Sequence, residues 1–70
     1  MTYSLTIRRY NQYMNFQTKE ELEAELRPHF LRSEQSIVDR LVDFTHARFQ
    51  NGYAENCYRD YSVCAYNLDN

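Results

Sequence analysis

The sequence predicts a small α+β domain of order β-β-α-α-β, an antiparallel sheet of about three strands with two helices on one face. Three observations predict it. Apolar and polar side chains alternate with period two over residues 3–18, the pattern of a half-buried hairpin. Over residues 37–49 the apolar spacing changes to three and four, the pattern of an amphipathic helix. The tail after Gly52 returns to strand-forming tyrosine, valine and cysteine.

The hairpin comes first. Strands Tyr3–Tyr10 and Tyr13–Thr18 flank Asn11-Gln12. A two-residue loop there sets Ile7 opposite Phe16 and Arg9 opposite Met14. One face then carries Leu5, Ile7, Met14 and Phe16 and belongs to the core. The other carries Thr6, Arg8, Tyr10, Tyr13, Asn15 and Gln17 and is free to meet a partner.

Thr18-Lys19-Glu20-Glu21 opens the first helix, about residues 19–27. Thr18 serves as N-cap and Glu21 as its capping-box partner, and acidic residues suit the positive end of the helix dipole. Leu22 and Leu26 form its buried stripe, and Pro28 disfavours helical geometry at Arg27. Ser33, followed by Glu34, reads as the second N-cap. In the second helix Ile37, Leu41 and Phe44 form one row and Val38, Val42, Thr45 and Phe49 the next. That face is broad enough to meet both the sheet and the first helix. Asp39, Arg40, Asp43, His46 and Gln50 fall on the other side, and Asn51-Gly52 is a left-handed stop.

A strand is expected around residues 58–67, joined to the N-terminal hairpin in one sheet. Tyr61, Val63 and Ala65 are favoured as its inward set over Cys64, Tyr66 and Leu68. Tyr58-Arg59-Asp60-Tyr61 has the outline of Tyr10-Asn11-Gln12-Tyr13, so a second hairpin is the alternative. It would set Asn56 against Val63, a poor pair, and the single strand is preferred.

Size and composition bound the function. Seventy residues (1–70) allow one domain with a small core. A pocket of about 300 Å³ would compete with that core for apolar side chains. Eight basic and ten acidic residues give a net charge of −2, unlike a dedicated duplex-DNA binder. No apolar run resembles a signal peptide, since Arg8 and Arg9 interrupt it, and none reaches the roughly 18 residues of a membrane span. The expected location is cytoplasmic, with Cys57 and Cys64 reduced.

The residues that carry chemistry are scattered. Cys57 and Cys64 are seven apart and His29 and His46 seventeen apart, without the close ligand pairs of a zinc site. On one strand the two cysteines would point to opposite faces. The only glycine is Gly52, so no phosphate-cradling loop exists. No catalytic residue, metal ligand or cofactor is assigned, and the chain is read as a non-enzyme.

Two surfaces remain. Arg8, Tyr10 and Tyr13 form an aromatic-basic patch on the outer hairpin face. Such a patch anchors protein interfaces and also stacks single-stranded bases. The carboxylates of the helices, Glu20, Glu23, Asp39 and Asp43, form an acidic surface able to engage a basic groove. In size and composition the chain resembles the small accessory proteins of phages and mobile elements, such as anti-CRISPR or anti-restriction inhibitors. The resemblance is one of type, carried by no motif, and transfers no site residues. The expected function is that of a protein-binding inhibitor or regulator. It would block a surface of a larger protein or nucleoprotein complex through Arg8, Tyr10, Tyr13, Glu20, Glu23, Asp39 and Asp43. The alternative is a module that binds single-stranded nucleic acid through the same tyrosine-arginine face. No membrane partner is expected, and a homodimer through the sheet edge fits either reading.

Overall fold

Alternation carries Thr2–Ile7 into β1 and Gln12–Phe16 into β2. A computed structural model describes residues 1–47 and 52–67, without the side chains of Phe44, His46 and Ala47. Phe49, Gln50, Asn51 and Leu68 lie outside the described residues. The strands are followed by α1 (Lys19–Leu26), α2 (Gln35–Ala47), β3 (Tyr53–Tyr58) and β4 (Tyr61–Tyr66). The sheet is antiparallel with strand order β2-β1-β4-β3. It is α+β, as expected, but with four strands instead of three. Helix α1 packs on β1 and β2, and α2 packs on β3 and β4, so each helix covers one hairpin on the same side of the sheet.

The first hairpin differs from its expected register. Leu5 faces Met14, Tyr3 faces Phe16 and Ile7 faces Gln12. Residues 8–10 leave the strand as a 3-10 turn, and Asn11 closes the loop at a left-handed φ of 53°. The reason is chemical. Continued alternation would turn Arg9 toward the core, where an unpaired charge is costly. The turn releases it, and its Nε donates to Asp60 Oδ2 at 3.1 Å. The face assignment survives because the register moves by an even number of residues. Leu5 and Ile7 are buried, and Met14 and Phe16 pack half-buried against the core.

The tail is a second hairpin, not one strand. Tyr58 faces Tyr61 across Arg59-Asp60, and Arg59 takes a φ of 53°. Asn56 does sit opposite Val63. The pair is tolerated because β3 is an edge strand, which leaves Asn56 only half-buried. Tyr61, Val63 and Ala65 point inward, as favoured from the sequence. Phe30, in the connection between the helices, seals the tip, with ring centroids 4.9 Å from Tyr61 and 6.2 Å from Tyr58.

The helix starts have different causes. Thr18 Oγ1 accepts from the Glu21 amide at 3.2 Å, the expected N-cap. Leu22 and Leu26 are fully buried, and the α-helix ends at Leu26. Contrary to expectation Arg27 keeps helical geometry, with φ −57° and ψ −40°. Pro28 sits inside a 3-10 turn over Arg27–His29, where its missing N–H is not needed. Ser33, the expected second N-cap, lies inside a 3-10 turn over residues 32–34 that precedes α2. Glu34 makes the cap instead, its Oε1 accepting from the Leu31 amide at 3.1 Å. Gln35 ties this connection together by donating to the carbonyls of Arg27 and Phe30, both at 3.1 Å. From α2, Val38, Leu41, Val42 and Thr45 are buried. The Thr45 hydroxyl is satisfied by the Leu41 carbonyl at 2.7 Å. Gly52 has a φ of 80°, the left-handed geometry expected of it.

Candidate functional site

With both helices on one side, the other side of the sheet is, among the described residues, a surface of strand side chains. Register gives its layout in rows across the four strands. One row holds Tyr13, Thr6, Ser62 and Cys57, and the next holds Asn15, Ser4, Cys64 and Glu55. The third holds Thr2, Tyr66 and Tyr53. Of these eleven residues, only Glu55 carries a formal charge. Tyr13 and Tyr53, on the two edge strands, are 61% and 52% exposed.

The tyrosines are held by specific contacts. The Tyr66 hydroxyl crosses β1 to donate to Asn15 Oδ1 on β2 at 2.7 Å. Ser4, between Asn15 and Cys64 in the same row, is buried although it faces away from the helices. Tyr13 beside it pushes the Tyr66 phenol up from its ordinary range, with a smaller contribution from burial. On the other flank the Tyr53 hydroxyl donates to Glu55 Oε2 at 3.0 Å and lies 3.7 Å from Cys64 Sγ. Its phenol is pushed up by those hydrogen bonds, the one to Cys64 first.

Both cysteines are free thiols on this face, contrary to the expectation that they point oppositely. The turn at Arg59-Asp60 reverses the chain between them, which restores matching parity. Cys64 Sγ lies 3.4 Å from Glu55 Oε2, and Cys57 Sγ lies 4.0 Å from Glu55 Oε1 and 3.5 Å from Ser62 Oγ. They sit diagonally across β3 and β4 with Glu55 bonded to both. Burial is the largest cause pushing the Cys64 thiol up, which disfavours the nucleophilic thiolate. Among the described residues no group of three or more His, Cys, Asp and Glu side chains is arranged to hold a metal ion.

The residues expected to form one patch are distributed over three places. Tyr13 is on the open face. Arg8 lies in the loop at the sheet's end, where its Nη2 donates to the Arg59 carbonyl at 2.6 Å. Tyr10, 55% exposed, turns toward the helical side, its ring 6.4 Å from that of His29. The single Arg8-Tyr10-Tyr13 face is therefore corrected: the strand that was to carry Arg8 and Tyr10 ends at Ile7, and only Tyr13, on β2, stays on the sheet face.

The acidic set is also partly engaged. Asp39 lies 2.8 Å and Glu23 3.4 Å from Arg27 Nη2, and Asp43 lies 2.6 Å from Lys19 Nζ. The Arg27–Asp39 and Lys19–Asp43 pairs join α1 to α2, while Glu23 and Arg27 pair one turn apart at the end of α1 itself. Asp39 and Asp43 therefore serve first as an inter-helix clasp. Glu20 remains exposed on α1. Sequence reasoning missed Tyr53 and Tyr66 as members of the open face. The signal for Tyr53 was the repeated Tyr-x-x-Tyr outline, which marked a second hairpin, and the signal for Tyr66 was its parity opposite to Tyr61, Val63 and Ala65.

No family model, curated protein or solved structure matches this chain. None of the helices among the described residues is long and apolar enough to cross a membrane.

Proposed function

We propose that the protein is a non-enzymatic binding protein that occupies a surface of a larger protein with the open face of its sheet. The observation that carries this reading is the composition of that face. Three tyrosines stand over short hydroxyl, thiol and amide side chains, with no basic residue among the eleven. Tyrosine supplies large, stiff contact area at low entropic cost and is enriched at interface anchors. A strand-binding nucleic-acid surface pairs such rings with cations that follow the phosphates. Here the arginines nearest the sheet, Arg8, Arg9 and Arg59, sit at its end and are engaged there with Arg59, Asp60 and Glu34.

The larger partner, a nucleoprotein complex included, would be blocked sterically. This is the mode of action implied by the likeness in size to phage and mobile-element inhibitors, and a cytoplasmic setting suits the two free thiols. The test is a tagged pull-down from nuclease-treated bacterial lysate, run beside a folded Tyr13→Ser/Tyr53→Ser variant. One stoichiometric protein retained by the native chain and lost by the variant is the expected result. Retention by the variant would remove this face from the binding. An empty pull-down that fills with nucleic acid when nuclease is omitted would replace the reading with the single-strand-binding one.

A further inference from the structure

Strand β3 pairs with β4 on one side and, among the described residues, with nothing on the other. An uncovered edge offers a row of backbone N–H and C=O groups to an incoming strand, and native sheets usually blunt it with lysine, proline or a bulge. The six residues Tyr53–Tyr58 contain neither lysine nor proline, and their register with β4 is continuous. Glu55, the strand's one charge, is turned into hydrogen bonds with Tyr53 and Cys64 of its own hairpin, and does not guard the edge.

A cleft of about 220 Å³ runs beside this edge, between β3 and α2. It is lined by Ile37, Arg40, Leu41, Asn56, Cys57 and Tyr58. Arg40 is exposed and makes no ion pair among the described residues, whereas Arg9, Lys19, Arg27 and Arg59 all do. Ile37 and Arg40 are three apart on the helix, which sets them roughly 5–6 Å from one another. Alternate residues of a strand, both facing the same side, are about 6.6 Å apart. One strand can therefore place an apolar side chain against Ile37 and a carboxylate against Arg40.

From this we infer that the β3 edge and its cleft take an extended segment of a partner protein as a fifth strand. The segment carries an apolar residue and an acidic residue two positions apart. Main-chain hydrogen bonds to β3 hold it, and the cleft and Arg40 select its side chains, the division of labour of strand addition. The surface is separate from the tyrosine face and does not depend on it.

The experiment selects short random displayed peptides on the full chain, then measures the best synthetic peptide by fluorescence anisotropy and by amide shifts in NMR. Enrichment of an apolar and an acidic residue two apart is expected, with shifts confined to β3 and α2. Arg40→Glu should weaken binding about fivefold, the worth of an exposed ion pair. A peptide with lysine in place of its acidic residue should recover that loss, and Tyr13→Ser should leave binding unchanged. Absence of enrichment, shifts centred on Tyr13 and Asn15, or an unaffected Arg40→Glu variant would overturn the inference. So would β3 shifts that follow protein concentration without peptide, since a second copy would then hold the edge.

Discussion

The two hairpins have nearly the same outline at their tips, Tyr-Asn-Gln-Tyr and Tyr-Arg-Asp-Tyr, and fold them differently. In the second hairpin the tyrosines face each other and pack toward Phe30, so the strands run to the tip and turn in two residues. In the first hairpin the strand stops at Ile7, four residues form the loop, and Tyr10 and Tyr13 part company. The difference lies in what precedes the tip. Cys57 and Glu55 alternate outward from β3 without forcing a charge inward, whereas Arg9 would have entered the core. The tips then fasten to each other. The Arg8 amide donates to the Asp60 carbonyl at 2.9 Å, just beyond the Ile7–Tyr61 pair that joins β1 to β4. A turn is thus chosen by the side chain that must not be buried as much as by the loop residues themselves.

The largest way to break this comparison is at the seam. Leu5 is fully buried on β1 and faces Met14 of one hairpin and Val63 of the other. Leu5→Ala should cost about 2–5 kcal/mol, a large share of the stability of so small a domain. Urea unfolding followed by far-UV circular dichroism and by hydrogen exchange should show both hairpins lost together. Protection retained in β3 and β4 alone would mean that the second hairpin and its helix stand independently.

The next effect sharpens the contrast between the turns. Asn11 and Arg59 share a φ of 53°. A β-branched residue there should cost about 1–2 kcal/mol. Arg59→Val should exceed Asn11→Val, since Arg59 also lies 5.1 Å over the Tyr58 ring and 3.9 Å from Glu34. Equal urea midpoints for the two variants would show that the second tip draws nothing from those contacts.

The smallest effect concerns the thiols of the second hairpin. Burial holds the Cys64 thiol above the ordinary range. Below that range the thiol is neutral in both the folded and the unfolded chain, and its contribution to stability is fully present. As pH rises through the range, the unfolded chain ionises first and stability falls. The urea midpoint should therefore drop between about pH 7.5 and 9.5, and Cys64→Ser should reduce the drop. Iodoacetamide at neutral pH should label exposed Cys57 before Cys64, as peptide mass spectrometry would show. Equal labelling rates would contradict the hydrogen-bonded, half-buried setting of Cys64.

The composition of each face was legible in the chain, because parity along a strand survives an even shift of register. Leu5, Ile7, Met14 and Phe16 therefore fall on the core side despite the misplaced loop. The candidate site was legible only in part. Tyr13 was found, but Arg8 and Tyr10 were expected beside it because nothing local says that a strand stops at Ile7. Tyr53 was missed because its place depends on the Tyr58–Tyr61 turn, which the Asn56–Val63 pair argued against, whereas the favoured inward set Tyr61, Val63 and Ala65 already turned Tyr66 outward without naming it as a site residue. That pair is acceptable only on an edge, and which strand lies at the edge is a property of the whole sheet.

By itself, then, the sequence determined the α+β class, the N-cap at Thr18, the buried Leu22 and Leu26 of α1, the buried Val38, Leu41, Val42 and Thr45 of α2 and the inward set of β4. These follow from periodicity and from backbone chemistry within a few residues. Only the tertiary structure decided the four-strand order, the release of Arg9 into its pair with Asp60, and the gathering of both cysteines and three tyrosines on one open face. Each of these depends on a neighbour distant in sequence, where hydrogen-bond pairing and the cost of a buried charge outweigh local preference.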